Sequence, residues 1–158
     1  MLERFGAIAA CLIGILMPSA WADPQVRVLV FTADWCTTCR VLDPRIERSI
    51  RAADLNQIVL SKFDLTDARP SSVSMIDDHH LDQAEHWMVT DIWQQYQGRT
   101  GFAVLAAIDT GEALGCLSPG MDASSMEHRL RLAVRMTLQT QPGRRRVLGE
   151  DCPDGQTQ

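Results

Sequence analysis

Apolar and polar positions alternate along this chain in blocks that read as strand, helix and strand. Val26 to Thr32 (VRVLVFT) is a β-branched apolar run of strand length. A helix follows from about Cys36, with Leu42, Ile46 and Ile50 recurring every four residues on one face and Pro44 kinking it. Ile58 to Asp64 (IVLSKFD) is the second strand. Strand, helix, strand at this spacing predicts a βαβ unit with parallel strands. Asp67 to Ser74 is a polar loop around Pro70. From about Asp78 the period becomes helical, with Leu81, Ala84, Met88, Ile92 and Tyr96 on one face and Gly98 and Gly101 punctuating the end. Phe102 to Asp109 is a continuous apolar run, which implies a central strand covered on both sides. Asp109-Thr110-Gly111-Glu112 signals a hairpin turn into a short strand, Ala113 to Leu117. Asp122 or Ser124 caps a last helix, whose inner face is Met126, Leu130, Ala133 or Val134, and Thr137.

The order β-α-β-α-β-β-α predicts an α/β fold with a mixed central sheet, helices on both faces and an antiparallel hairpin at the end. Three ranges follow: a leader over 1–22, a folded domain over 23–140 with an insertion at about 67–98, and a polar tail over 141–158. The leader has the anatomy of a secretory signal peptide. Arg4 and the free amine are its positive start, Phe5 to Met17 its apolar run, Pro18 its break, and Ala20-Trp21-Ala22 its cleavage signal. The apolar run is shorter than the roughly 20 residues of a membrane span. Export to the periplasm is therefore expected, with a mature start near Asp23.

At 158 residues, 46% hydrophobic and 22% charged, the chain can pack a core. A formal charge of -5 argues against nucleic acid as a partner, because that requires clustered cations. The one basic run, Arg144-Arg145-Arg146, is read as a solvated tail.

Of five cysteines, Cys11 belongs to the leader, leaving Cys36, Cys39, Cys116 and Cys152 in an oxidising compartment. Trp35-Cys36-Thr37-Thr38-Cys39 falls at a strand-to-helix junction. Unpaired N–H groups and the helix dipole there stabilise a thiolate, the nucleophilic form of the side chain. The two-residue spacing lets Cys39 resolve a mixed disulfide formed at Cys36. The same spacing serves zinc sites and structural disulfides.

At these residues the chain resembles the thioredoxin superfamily. Phe31 to Cys39 is similar to that family's active-site stretch, Pro44 to its helix-kinking proline, and Thr110-Gly111-Glu112 to its hairpin turn. The likeness spans Val26 to Val134, about two thirds of the chain by its strands and helices. It implies a thioredoxin-like fold and thiol–disulfide oxidoreductase activity, with Cys36 and Cys39 as a redox-active disulfide and no cofactor. It also implies roles for Trp35, in shaping the surface a partner meets, and for Lys62, which matches a lysine beneath the active site. Partners would be exported protein thiols or disulfides, or a membrane electron donor. Three departures stand out. Val30 occupies the place of the family's buried Asp. The place of its cis-proline, counted back from the hairpin, falls at Ala103 with no proline near. The stretch before the third strand is longer.

Other readings stay open. Cys116 and Cys152 form a structural disulfide worth on the order of 3 kcal/mol, or a second redox pair, or leave Cys116 free. Asp77-Asp78-His79-His80 with Asp82 and His86 is the most metal-like cluster. With the CxxC thiolates, His79, His80 or His86 would suit copper or zinc carriage. The competing view is a solvated acidic helix start. Trp87 and Trp93 are core residues or a docking patch. A thioredoxin-like module that only binds partners is the third functional class.

Overall fold

The computed structural model describes residues 23–53, 56–67, 73–147 and 152–153, with backbone alone over 73–77. The leader expected at 1–22 lies outside the described residues. The elements are β1 (Val26–Thr32), α1 (Cys39–Ala53), β2 (Ile58–Asp64), α2 (Val73–His86), α3 (Thr90–Tyr96), β3 (Phe102–Ala107), β4 (Ala113–Leu117) and α4 (Ala123–Gln139).

The sheet order is β2-β1-β3-β4. β1 runs parallel to β2, as the βαβ pattern requires, and antiparallel to β3, while β3 and β4 form the expected hairpin. Alternation along β1 splits the core in two. Val26, Val28 and Val30 face α1 and α4, where Leu42, Ile46, Met126 and Leu130 are fully buried. Leu29 and Phe31 face the other way, against Ala84 of α2 and Ile92, Trp93 and Tyr96 of α3. Every residue of β3 is buried, consistent with its central, doubly covered place. This is the thioredoxin-like arrangement.

α4 starts where its sequence says it should. The Asp122 carboxylate accepts a hydrogen bond from the Ser125 N–H at 2.7 Å, and its inner face is Met126, Leu130, Ala133, Val134 and Thr137.

The insertion differs from expectation. In place of one helix running past Met88, the chain forms two, broken at Trp87–Val89. Val89 N–H donates to Ala84 O and Met88 N–H to Glu85 O, the paired bonds of a Schellman motif. Met88 occupies its left-handed position, with φ 60°, and its side chain is exposed instead of facing inward. Buried Val89 and Ala84 supply the accompanying apolar contact. The break is pinned by the hairpin: a Cβ on Gly111, at φ +72°, would lie 1.7 Å from Met88 O. Trp93 is core, stacked near Phe31 and tilted on Phe63 at 4.9 Å. Trp87 packs half-buried on Phe63, with the Arg27 guanidinium 5.0 Å from its ring centre.

The tail also corrects an expectation. Arg145, read as solvated, has a side chain only 2% exposed. Its guanidinium grips Asp109 with two bonds, at 2.6 and 2.7 Å, reaches Glu112 at 3.3 Å, and donates to Thr137 O and Thr140 O. The hairpin turn thus supplies a carboxylate pair that recruits one arginine of the basic run, which the local sequence around Glu150 does not reveal.

Candidate functional site

The pair Cys36 and Cys39 sits where β1 passes into α1. Cys36 N–H closes a turn onto Ala33 O, and regular helix begins at Cys39, three residues later than the pattern predicts. Thr37 and Thr38 form the intervening turn, and the Thr38 carbonyl accepts from Val41 and Leu42 N–H to start the helical ladder. Pro44 lies inside α1 as predicted.

The two sulfurs are joined, with Cα atoms 5.3 Å apart. Cys39 N–H donates to Cys36 Sγ at 3.1 Å. That donor belongs to the first residue of α1, so it has no intrahelical acceptor and points at the sulfur. On reduction the same N–H and the positive end of the helix dipole would stabilise a Cys36 thiolate. Cys39 Sγ lies 3.8 Å from Phe31 O. Cys36 is 7% exposed and Cys39 2%, so Cys36 is the more accessible of two buried sulfurs.

Trp35, 43% exposed, stands beside Cys36 on the surface. It is held rather than loose: its indole N–H donates to Thr66 O at 3.2 Å, and Asp34 N–H donates to Thr66 Oγ1 at 2.9 Å. Thr66, just past β2, thereby fixes the approach to the pair.

Gly101 forms the floor opposite the sulfurs. Its N–H donates to Phe31 O at 2.9 Å. A Cβ there would lie 3.3 Å from Thr38 Cβ and Cγ2 and 3.7 Å from Cys36 Sγ, and φ is +88°. The residue facing the cysteines is therefore Gly101, not Ala103. Ala103 is a fully buried β3 residue paired with Val30, on the α1/α4 side of the sheet. The count back from Gly111 assumed a tighter hairpin than this one, which also carries a register irregularity at Leu105/Ala106. In the sequence Gly101 reads only as helix-end punctuation; its role shows once the chain brings it under Thr38.

Other candidates fall elsewhere. Lys62 pairs with Val30 across the β1–β2 ladder. Its ammonium, however, is solvent-exposed and directed to Glu47 of α1 at 3.2 Å. His80 is buried, with Nε2 2.9 Å from Asp64 O and its ring edge-on to Phe63 and Trp93. His79 and His86 are exposed. Among the described residues, no three His, Cys, Asp or Glu side chains converge as a metal site. Cys116 and Cys152 are joined, with Cα atoms 4.9 Å apart across 36 residues, tying the tail to β4.

A protein-family model described as Thioredoxin matches residues 20–76, the segment from before β1 into α2 that carries both cysteines. Among solved structures, StoA from Bacillus subtilis is 14% identical with a TM-score of 0.44, over 68% of this chain and 84% of that one. A malarial protein is 15% identical with a TM-score of 0.41, over 69% of this chain and 97% of that one. No curated protein matches significantly. Over this cysteine-bearing segment, on a sheet of order β2-β1-β3-β4, the chain is similar to the thioredoxin family.

Proposed function

We propose that the protein is an exported thiol–disulfide oxidoreductase that exchanges disulfides with other exported proteins in the periplasm. The observation that carries this is the disulfide between a more accessible Cys36 and a buried Cys39, with the first helical N–H of α1 aimed at Cys36 Sγ.

In the reducing direction, the Cys36 thiolate attacks one sulfur of a partner's disulfide. A mixed disulfide forms and the partner's other sulfur leaves as a thiolate, which takes up a proton. The Cys39 thiol loses its proton and attacks Cys36 Sγ, closing the Cys36–Cys39 disulfide and releasing the partner's second thiolate. Two electrons pass to the partner; the opposite sequence oxidises a partner dithiol. A membrane-bound electron donor, or a further exported thiol protein, would reset the pair.

The test is a pair of substitutions. Cys36→Ser abolishes turnover of a protein disulfide, and Cys39→Ser accumulates mixed disulfides visible on non-reducing gels. Full turnover by both variants would overturn the proposal. Export is tested separately, by cell fractionation and the N-terminal sequence of the recovered protein, expected near Asp23.

A further inference from the structure

Between α1 and the start of α4 lies a cleft of about 420 Å³. Its α1 wall is Arg45, Arg48, Ser49 and Ala52, and its α4 wall is Ala123 and Glu127. Spaced i, i+3, i+4 and i+7, the four α1 residues share one helix face. Ser49 is 3% exposed, and its Oγ has no hydrogen-bond partner in the protein. A helical serine ordinarily turns its hydroxyl to solvent or to the carbonyl four residues back, and this one does neither. A buried polar atom left unsatisfied is destabilising, and native structures keep few of them. The charges beside it are cationic on balance. Arg45 Nη1 donates to Pro119 O at 3.1 Å and Met121 O at 2.9 Å, which fixes the guanidinium before α4 and leaves its Nε and Nη2 hydrogens unspent. Arg48 is exposed and makes no ion pair among the described residues. Glu127, the acid in the lining, is held by Arg131 Nη2 at 2.8 Å and Nε at 3.1 Å. The neighbouring Asp122 carboxylate is turned to Ser124 Oγ and Ser125 N–H as the cap of α4.

From this set we infer that the cleft binds a phosphate monoester, its phosphate held by the Arg45 and Arg48 guanidiniums and the Ser49 hydroxyl. A phosphate monoester presents three strong acceptor oxygens, and the cleft brings three donor groups to one helix face. The planar fork of arginine matches phosphate geometry. The Ser49 hydroxyl, turning about its one side-chain torsion, would donate to a phosphate oxygen and so gain the partner it lacks. Ala123 is the first residue of α4, so the positive end of that helix dipole adds to the field. The volume falls in the range of roughly 300–1,000 Å³ typical of small-molecule sites, which leaves room for an organic group beside the phosphate. That group is either a small soluble molecule or the glyceride of a lipid whose headgroup is a phosphate monoester. None of the four bonded cysteines lines the cleft, so the site stands independently of the function proposed above.

The experiment measures binding to the purified protein at one ionic strength, by calorimetry and backbone amide shifts for glycerol 3-phosphate, and by co-sedimentation for phosphatidylcholine vesicles with and without phosphatidic acid. Wild type is compared with Arg48→Gln and Ser49→Ala. Arg48 lies in solvent and Ser49 Oγ bonds to nothing, so neither substitution removes a bond that holds the fold. Melting curves without ligand should therefore match wild type. The expected result is saturable one-to-one binding, with shifts at Ser49 and Ala123 for the soluble ester. In each variant Kd rises about tenfold, as the loss of one charge-assisted hydrogen bond implies. Binding of glycerol 3-phosphate assigns the phosphate to a small soluble molecule, and binding confined to vesicles with phosphatidic acid assigns it to a lipid headgroup; both support the site. Failure of both probes to bind overturns the inference, as does binding that either variant retains at wild-type strength.

Discussion

At the scale of single residues, two backbone positions carry more than their side chains suggest. Gly101 works by what it lacks. Gly101→Ala would place a methyl group 3.3 Å from Thr38 at a φ of +88°, a conformation costing an L-residue about 1–2 kcal/mol. The expected outcome is a stability loss of that order in denaturant titration, with slowed reaction of reduced Cys36 toward a small disulfide because Thr38 is displaced. Met88 is the reverse case, a side-chain-bearing residue held at φ 60° where a glycine would be unstrained. Its side chain is largely exposed, so little packing is lost with it. Met88→Gly should therefore stabilise by about 0.5–1 kcal/mol, read as a higher melting temperature. Neither role is legible in the sequence, because both arise where segments far apart in the chain meet: Gly101 under Thr38, and Met88 against Gly111. The cysteine pair itself was legible, since its spacing, its tryptophan and its preceding strand are all local.

At the scale of elements, the strands and helices whose pattern is their own were readable, and those shaped by a neighbour were not. β1, β2, β4 and α4 follow their apolar periodicity, and Asp122 caps α4 from a local signal. The α2–α3 break does not follow periodicity, because a tertiary contact with the hairpin stops a run that could have continued as helix. The Arg145 latch is a tertiary effect of the same kind. Removing this guanidinium forfeits charge-assisted bonds to Asp109 and Glu112 and two bonds to helix-end carbonyls. Arg145→Ala should cost about 2 kcal/mol, and Arg145→Lys should recover only part of it, lacking the planar fork. The latch also has a pH signature. Hydrogen bonding to Arg145 holds the Asp109 carboxyl below its ordinary range, against a smaller opposing effect of burial. A carboxylate with a lowered native pKa contributes stability that is full above the ordinary Asp value of about 3.9 and is lost as pH falls through the native value. Asp109→Asn should flatten that acid-side slope in a series of melting curves below about pH 4. An unaltered slope would assign the acid sensitivity to other carboxylates.

At the scale of the whole molecule, the fold puts one apolar cluster directly behind the redox pair. Phe31, Phe102, Trp93 and Tyr96 form an aromatic layer beneath Cys36 and Cys39, and α2 and α3 extend it past β2. The mixed sheet and the two-faced helical cover followed from the order of elements and from chain-connection rules alone. The joining of Cys116 to Cys152 was one of the readings open in the sequence, because residue order alone does not say whether two cysteines pair. The metal-like histidines show why spacing is weak evidence by itself: His80 turns inward to Asp64 O while His79 and His86 remain in solvent.

The central claim is that Cys36 and Cys39 are a working redox couple and not a fixed strut. Its most direct test is equilibrium titration of the purified protein in thiol–disulfide buffers of graded potential, with trapping of free thiols and assignment of each cysteine by mass spectrometry. One reversible two-electron transition is expected at Cys36 and Cys39 within the range spanned by known thiol–disulfide oxidoreductases, roughly −270 to −120 mV, with Cys116 and Cys152 still joined across it. A Cys36–Cys39 disulfide that stays closed throughout that range, or a pair that stays reduced, would contradict it.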